Sequence, residues 1–132
     1  MSLPDTIIKM AIAKVISKSN SSIDFDMLIS SIGSVNDVDK KLVIRITDMK
    51  SVCGLGIKEG KMVEVDKVDK PDTVFSMDKN TFSAIILNKV DHRQAYYYGA
   101  IEADGENWVR DSILLGKIFD EIKKVMNPGE AK

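Results

Sequence analysis

The sequence predicts an α+β domain, on three observations. Apolar residues recur at helical spacing near the start and over the last part of the chain, and alternate one by one through its middle. The alternating segments are joined by connections of a few residues, too short for parallel crossovers, so the first three strands should form an antiparallel meander. The closing segment, residues 106–126, carries more apolar surface than a helix needs merely to lie on a sheet, and reads as one wall of an apolar pocket.

Taken in order, Pro4 and Asp5 suit a helix start. Ile7, Ile8, Ala11, Ile12, Val15 and Ile16 then share a face flanked by Lys9, Lys14 and Lys18, until Ser19-Asn20-Ser21-Ser22 breaks the pattern. Asp24 caps a second short helix, with Phe25, Leu28 and Ile29 inward and Gly33 at its end. In residues 40–47, Leu42, Ile44 and Ile46 alternate with Val43, Arg45 and Thr47, as in a strand with one buried face. Residues 51–57 alternate again through Cys53, Leu55 and Ile57, with Gly54 and Gly56 where something approaches the backbone closely. A turn through Glu59 and Gly60 leads to a third strand over 62–68. Residues 73–77 are a fourth strand, and Asp78 caps a helix with Phe82, Ile85, Ile86 and Val90 at helical spacing. A short helical turn over 91–98 ends at Gly99, and a fifth strand covers 100–103. In the last helix Trp108, Leu115, Phe119, Ile122 and Met126 mark one side, broadened by Val109, Ile113, Leu114 and Ile118. Arg110, Asp111, Lys117, Glu121 and Lys124 sit mostly opposite.

A chain of 132 residues corresponds to one domain, here taken as 1–132, with N-terminal helices in 1–35 and a frayed tail over 127–132. Its 44% apolar and 30% charged residues are those of an ordinary globular protein. A net charge of −1 argues against a nucleic-acid binder. The single cysteine, Cys53, excludes an internal disulfide and fits a reducing compartment. Lys9 and Lys14 interrupt any signal-peptide core, and no apolar run is long enough to span a membrane, so the expected location is cytoplasmic.

One long stretch carries a family resemblance. It contains Asp72-Thr73-Val74-Phe75-Ser76-Met77-Asp78 followed by Phe82, then Asp91-His92-Arg93-Gln94-Ala95-Tyr96-Tyr97-Tyr98-Gly99. Ile101, Ala103-Asp104-Gly105, Trp108 and Leu114-Leu115-Gly116-Lys117-Ile118-Phe119 complete it. In this order these residues resemble the sterol carrier protein 2 family of lipid-transfer domains, from about Val43 onward. The N-terminal helices depart from the family, and Asn88-Lys89-Val90 stands where members often have glycine. The resemblance implies a five-stranded, mostly antiparallel sheet covered on one face by helices, with an apolar tunnel between them. It also implies binding and transfer of fatty acyl chains, phospholipids or sterol-like lipids.

The residues themselves carry little chemistry. His92 is the only histidine, which excludes a histidine-pair metal site; by itself it reads as a surface or turn residue. Cys53 lies on an apolar strand face and reads as inert core rather than nucleophile. Asp91 and Arg93 read as a local turn interaction. Tyr96, Tyr97 and Tyr98 either pack on the sheet or present hydroxyls at a pocket mouth. Lys117, Lys123 and Lys124 form either a solvated face, offset by Asp120 and Glu121, or a surface for anionic headgroups.

A non-enzymatic carrier follows as the expectation, with no catalytic residue, no metal and no cofactor. Its partners are a lipid or other hydrophobic small molecule and, transiently, a membrane surface, not nucleic acid. The expected lining is Phe75, Met77, Phe82, Ile86, Trp108, Ile113, Leu115 and Phe119, with Leu42 and Ile44 as the floor. The alternative is a protein–protein interaction or dimerisation module on the same fold. An empty tunnel of roughly 400 Å³ would cost about 10 kcal/mol, comparable to the whole stability of a domain, so a real one should be filled, solvated or collapsed without ligand.

Overall fold

The structure, a computed structural model, describes residues 3–20, 41–49, 52–58 and 61–126. Helix α1 (Asp5–Asn20) begins just after Pro4, whose carbonyl accepts from the amides of Ile7 and Ile8 at 3.0 and 3.1 Å. Proline fits there because a first-turn N–H has no helical partner to lose. Ile8, Ala11, Ile12 and Val15 are buried, at the spacing one helical face requires. The short helix expected after Asp24, the turn through Glu59 and Gly60, and the 127–132 tail fall outside the described residues.

Strands β1 (Leu42–Ile46), β2 (Cys53–Lys58) and β3 (Lys61–Glu64) form the antiparallel meander, with Ile44 opposite Leu55 and Gly56 opposite Val63. Strand β4 (Thr73–Met77) lies parallel to β1 and sets Phe75 beside Ile44. Strand β5 (Glu102–Asp104) pairs antiparallel with β4. The order is β3-β2-β1-β4-β5, so the sheet is mostly antiparallel with one parallel pair. Gly54 is where the chains crowd: a Cβ there would lie 2.1 Å from the Ile44 carbonyl oxygen.

Two strands are shorter than the pattern predicts. The third stops at Glu64 and turns through a 3-10 segment, Val65–Lys67. Met62 faces the core, so continuing the strand would aim Asp66 at the core as well. The turn instead lays Val65 and Val68 on the reverse face, where they bury Val43 with help from Val63 and Val74. Val43, expected on an open face, is therefore covered. The fifth strand starts at Glu102 because the amides of Ala100 and Ile101 are held by the Ala95 carbonyl, at 2.9 and 3.3 Å.

Asp78 caps helix α2 (Lys79–Ile86), its carboxylate accepting from the Thr81 amide at 2.8 Å. Asn88 follows with φ 61°, a left-handed position that asparagine tolerates better than most residues. It thus does the work of the glycine expected there. Helix α3 (His92–Tyr97) is capped by Asp91, and Gly99 leaves it at φ 74°. Helix α4 (Trp108–Met126) closes the fold. Ile8, Phe82 and Phe119 from three of the helices join Leu42, Leu55 and Phe75 of the sheet in one core, so helices cover that face.

Candidate ligand site

Two contacts set the position of α4. Its inward stripe is Leu114, Leu115, Ile118, Phe119 and Ile122, all buried. At its first turn Asp111, expected on the polar side, is buried and accepts a short hydrogen bond from the Thr73 hydroxyl at the start of β4. A carboxylate out of water needs such a donor, and the bond fastens the helix start to the sheet.

Beneath this helix lies a run of rings. Tyr96 lies 5.8 Å from Trp108, 6.2 Å from Phe75 and 6.3 Å from His92, between ring centroids. His92 continues to Phe119 at 5.9 Å, and Phe119 to Phe82 at 6.1 Å. Among the described residues the buried Tyr96 hydroxyl has no hydrogen-bond partner, and burial pushes its phenol well above the ordinary range. Such a group costs about 1–3 kcal/mol of desolvation and calls for an acceptor. Tyr97 and Tyr98 point into solvent.

His92 is not the plain surface residue its position suggested. Its ring is mostly covered and rests on Gly116, where a Cβ would come within 2.9 Å of it. Burial lowers its pKa below the ordinary 6.5, opposed by Asp91 and assisted by Arg93 and Lys123. Asp91 is itself committed: it accepts from the Arg93 amide at 2.9 Å and from Nε and Nη2 at 3.2 and 2.9 Å, which holds its carboxyl far below the usual range. Because the folded imidazole resists protonation, the unfolded chain takes the proton first. Stability should then fall as pH drops below about 6.5 and level off below the folded value. His92→Gln should flatten that slope in denaturant melts across pH; parallel curves for the two proteins would refute the assignment.

The ten expected lining residues divide into two groups. Leu42, Ile44, Phe75, Met77, Phe82, Ile86, Leu115 and Phe119 are brought together in the core with at most 2% of their surface exposed. Trp108 is 38% and Ile113 57% exposed. Trp108 sits at the very start of α4, and Ile113 is rotated off its inward stripe, so both lie at the surface. Ile113 instead flanks a groove of about 560 Å³ between residues 88–93 and α4, whose floor includes His92 and Gly116. The buried Tyr96 hydroxyl and the groove were missed. The available signal was the spacing of His92, Ala95 and Tyr96, which puts the three on one face of α3. Cys53 is buried, and burial pushes its thiol up, against the pull of Lys9, which suits inert packing. Among the described residues no cluster of His, Cys, Asp and Glu could hold a metal, and no helix is long and apolar enough to cross a membrane.

A meander joined to a fourth strand by a parallel pairing, with helices on one face and an aromatic interior under the last helix, is the architecture of a known class of small α+β domains. The chain has the sterol carrier protein 2 fold. It superposes on sterol carrier protein 2 from Yarrowia lipolytica, in its apo form, with a TM-score of 0.65 and 10% identity, over 92% of this chain and 95% of that one. The sterol carrier protein domain 2 of Helicoverpa armigera matches at 0.57 with 13% identity, over 93% and 94%. UbiJ-SCP2, a ubiquinone synthesis protein, matches at 0.55 with 8% identity, over 96% of each chain. No protein-family model and no curated protein matches the sequence.

Proposed function

We propose that this protein binds a hydrophobic ligand, a fatty acyl chain, phospholipid or sterol-like lipid, in the interior beneath α4 and transfers it without chemistry. The observation that carries this reading is the end-to-end likeness to sterol carrier protein 2 folds. The Tyr96 hydroxyl, without a partner among the described residues, adds a point where an acceptor along the buried part of a lipid, such as an ester carbonyl, would be held. The burial of eight of the expected lining side chains in one core is what a tunnel collapsed without ligand would look like. Ligand entry then requires Phe82, Leu115 and Phe119 to part from Phe75, Ile44 and Leu42, with Met77 and Ile86 lining the deeper end and Trp108 and Ile113 the mouth. Each CH₂ taken from water contributes about 0.8 kcal/mol, and almost nothing when taken from a bilayer, so such a protein exchanges lipid rather than extracting it irreversibly.

Native mass spectrometry with organic extraction, and titration with a fluorescent fatty acid, test this. A bound species that recurs across preparations, with saturable uptake, is expected. An unliganded mass and no uptake by the folded protein would overturn it. Tyr96→Phe should act in opposite directions: it stabilises the free protein by roughly 1 kcal/mol and weakens a ligand carrying an acceptor by about threefold to tenfold. A purely structural tyrosine would leave binding unchanged.

A second reading has its own observation. Trp108, Val109 and Ile113 are exposed together on the first turns of α4, which suits a partner or a second copy. A stable oligomer in solution that takes up no lipid would favour it.

A further inference from the structure

The charges around the groove beside α4 do not follow the chain's overall balance, which is −1. Four cationic side chains line it, Lys89, Arg93, Lys117 and Lys123, against the carboxylates of Asp91 and Asp120. Arg93 and Asp91 neutralise each other through paired side-chain hydrogen bonds at 2.9 and 3.2 Å. What remains is three lysines facing Asp120. Among the described residues none of the three has an ion-pair partner.

The groove also abuts the interior. Val90 and His92 line it, and both pack against the core: Val90 lies against the main cluster, and the His92 ring touches Phe119 and Tyr96. Gly116 has no side chain to close the floor over His92. Ile113 adds an apolar flank. Cationic groups on an open groove, with the apolar core directly behind its floor, match a molecule with an anionic end and a hydrocarbon tail. The volume of about 560 Å³ is within the range of small-ligand sites.

We infer that this groove is the headgroup site for an anionic amphiphile, holding its carboxylate or phosphate among Lys89, Lys117 and Lys123 while the chain passes Val90 and His92 into the interior. The inference rests on the lipid-binding reading and narrows its ligand class. Lysines recognise such an anion as mobile point charges, without the fixed fork of an arginine, so carboxylate and phosphate are both accepted. Because the groove is open to solvent, the attraction should weaken with salt.

The test compares a long-chain fatty acid with the fatty alcohol of the same length, on the wild type and on Lys89→Gln/Lys117→Gln/Lys123→Gln. Inorganic phosphate serves as the chainless anion. These are surface substitutions, so the melting temperature should hold and report folding. The triple variant should lose about tenfold in affinity for the acid and less than about twofold for the alcohol. Added salt should erode wild-type binding of the acid but not of the alcohol, a check that needs no variant. Phosphate should compete only at concentrations far above the acid. Equal losses for acid and alcohol, or no loss for either, overturn the headgroup site and leave the lipid reading standing. Tight phosphate binding with no uptake of either chain overturns both.

Discussion

Phe119→Ala should lower the unfolding free energy by about 3–5 kcal/mol, the cost of emptying a fully packed aromatic site. For a domain of this length that corresponds to a fall in melting temperature of roughly 10–20 °C. Phe119 is buried, packs against Phe82 and His92, and stands where the proposed ligand would lie. The same substitution therefore leaves a void under α4. If the interior takes up hydrocarbon, a fatty acid or alcohol should restore part of the lost stability in the variant, and more than it adds to the wild type. Thermal melts with and without ligand read both effects. A variant that loses stability and gains nothing from any lipid would place Phe119 in a permanent core.

Asp111→Ala should cost about 3 kcal/mol, because it strips the buried Thr73 hydroxyl of the acceptor that orders it and frees the first turn of α4. Thr73→Val removes the donor instead and leaves the carboxylate buried, with a loss of similar size. The double variant Thr73→Val/Asp111→Leu should be more stable than the sum of the single losses predicts, with a coupling above about 1.5 kcal/mol in a double-mutant cycle. Additive losses would mean that the two residues act through other contacts. The pair also bears on the proposed function, since α4 must move for ligand to enter. With its start pinned at Thr73, the movable part is the remainder of the helix, including the turns that carry Leu115 and Phe119. Loosening the pin should speed lipid uptake as well as lower stability.

Much of the fold was legible because its signals are local. Asp78 and Asp91 were read as the starts of α2 and α3, and both make the cap hydrogen bond. The alternation of Leu42, Ile44 and Ile46 set the buried face of β1, and the short connections set the meander. Asn88, read as a departure from a glycine position, adopts the same left-handed geometry. Other positions are decided by what packs across from them. Val43 faces a second small core that exists only because the chain turns at Val65. Asp111 is a charged residue on the inward side, which a hydrophobic pattern cannot anticipate without Thr73 opposite it. Trp108 and Ile113 are as apolar as Leu115, yet one overhangs the start of the helix and the other is turned off the stripe.

By itself, the sequence determined the order and kind of the elements, their caps, the antiparallel meander and the apolar character of the last helix. Each of these depends on residues a few positions apart, whose spacing is the structural period itself. Only the tertiary structure decided which apolar side chains meet, that eight of the expected lining residues share one buried core, and that the buried Tyr96 hydroxyl has no partner among the described residues. It also decided that lysines from residue 89 and from α4 face one groove. Burial and charge at such a place are set by what packs opposite, across dozens of residues of chain, and no local period records that.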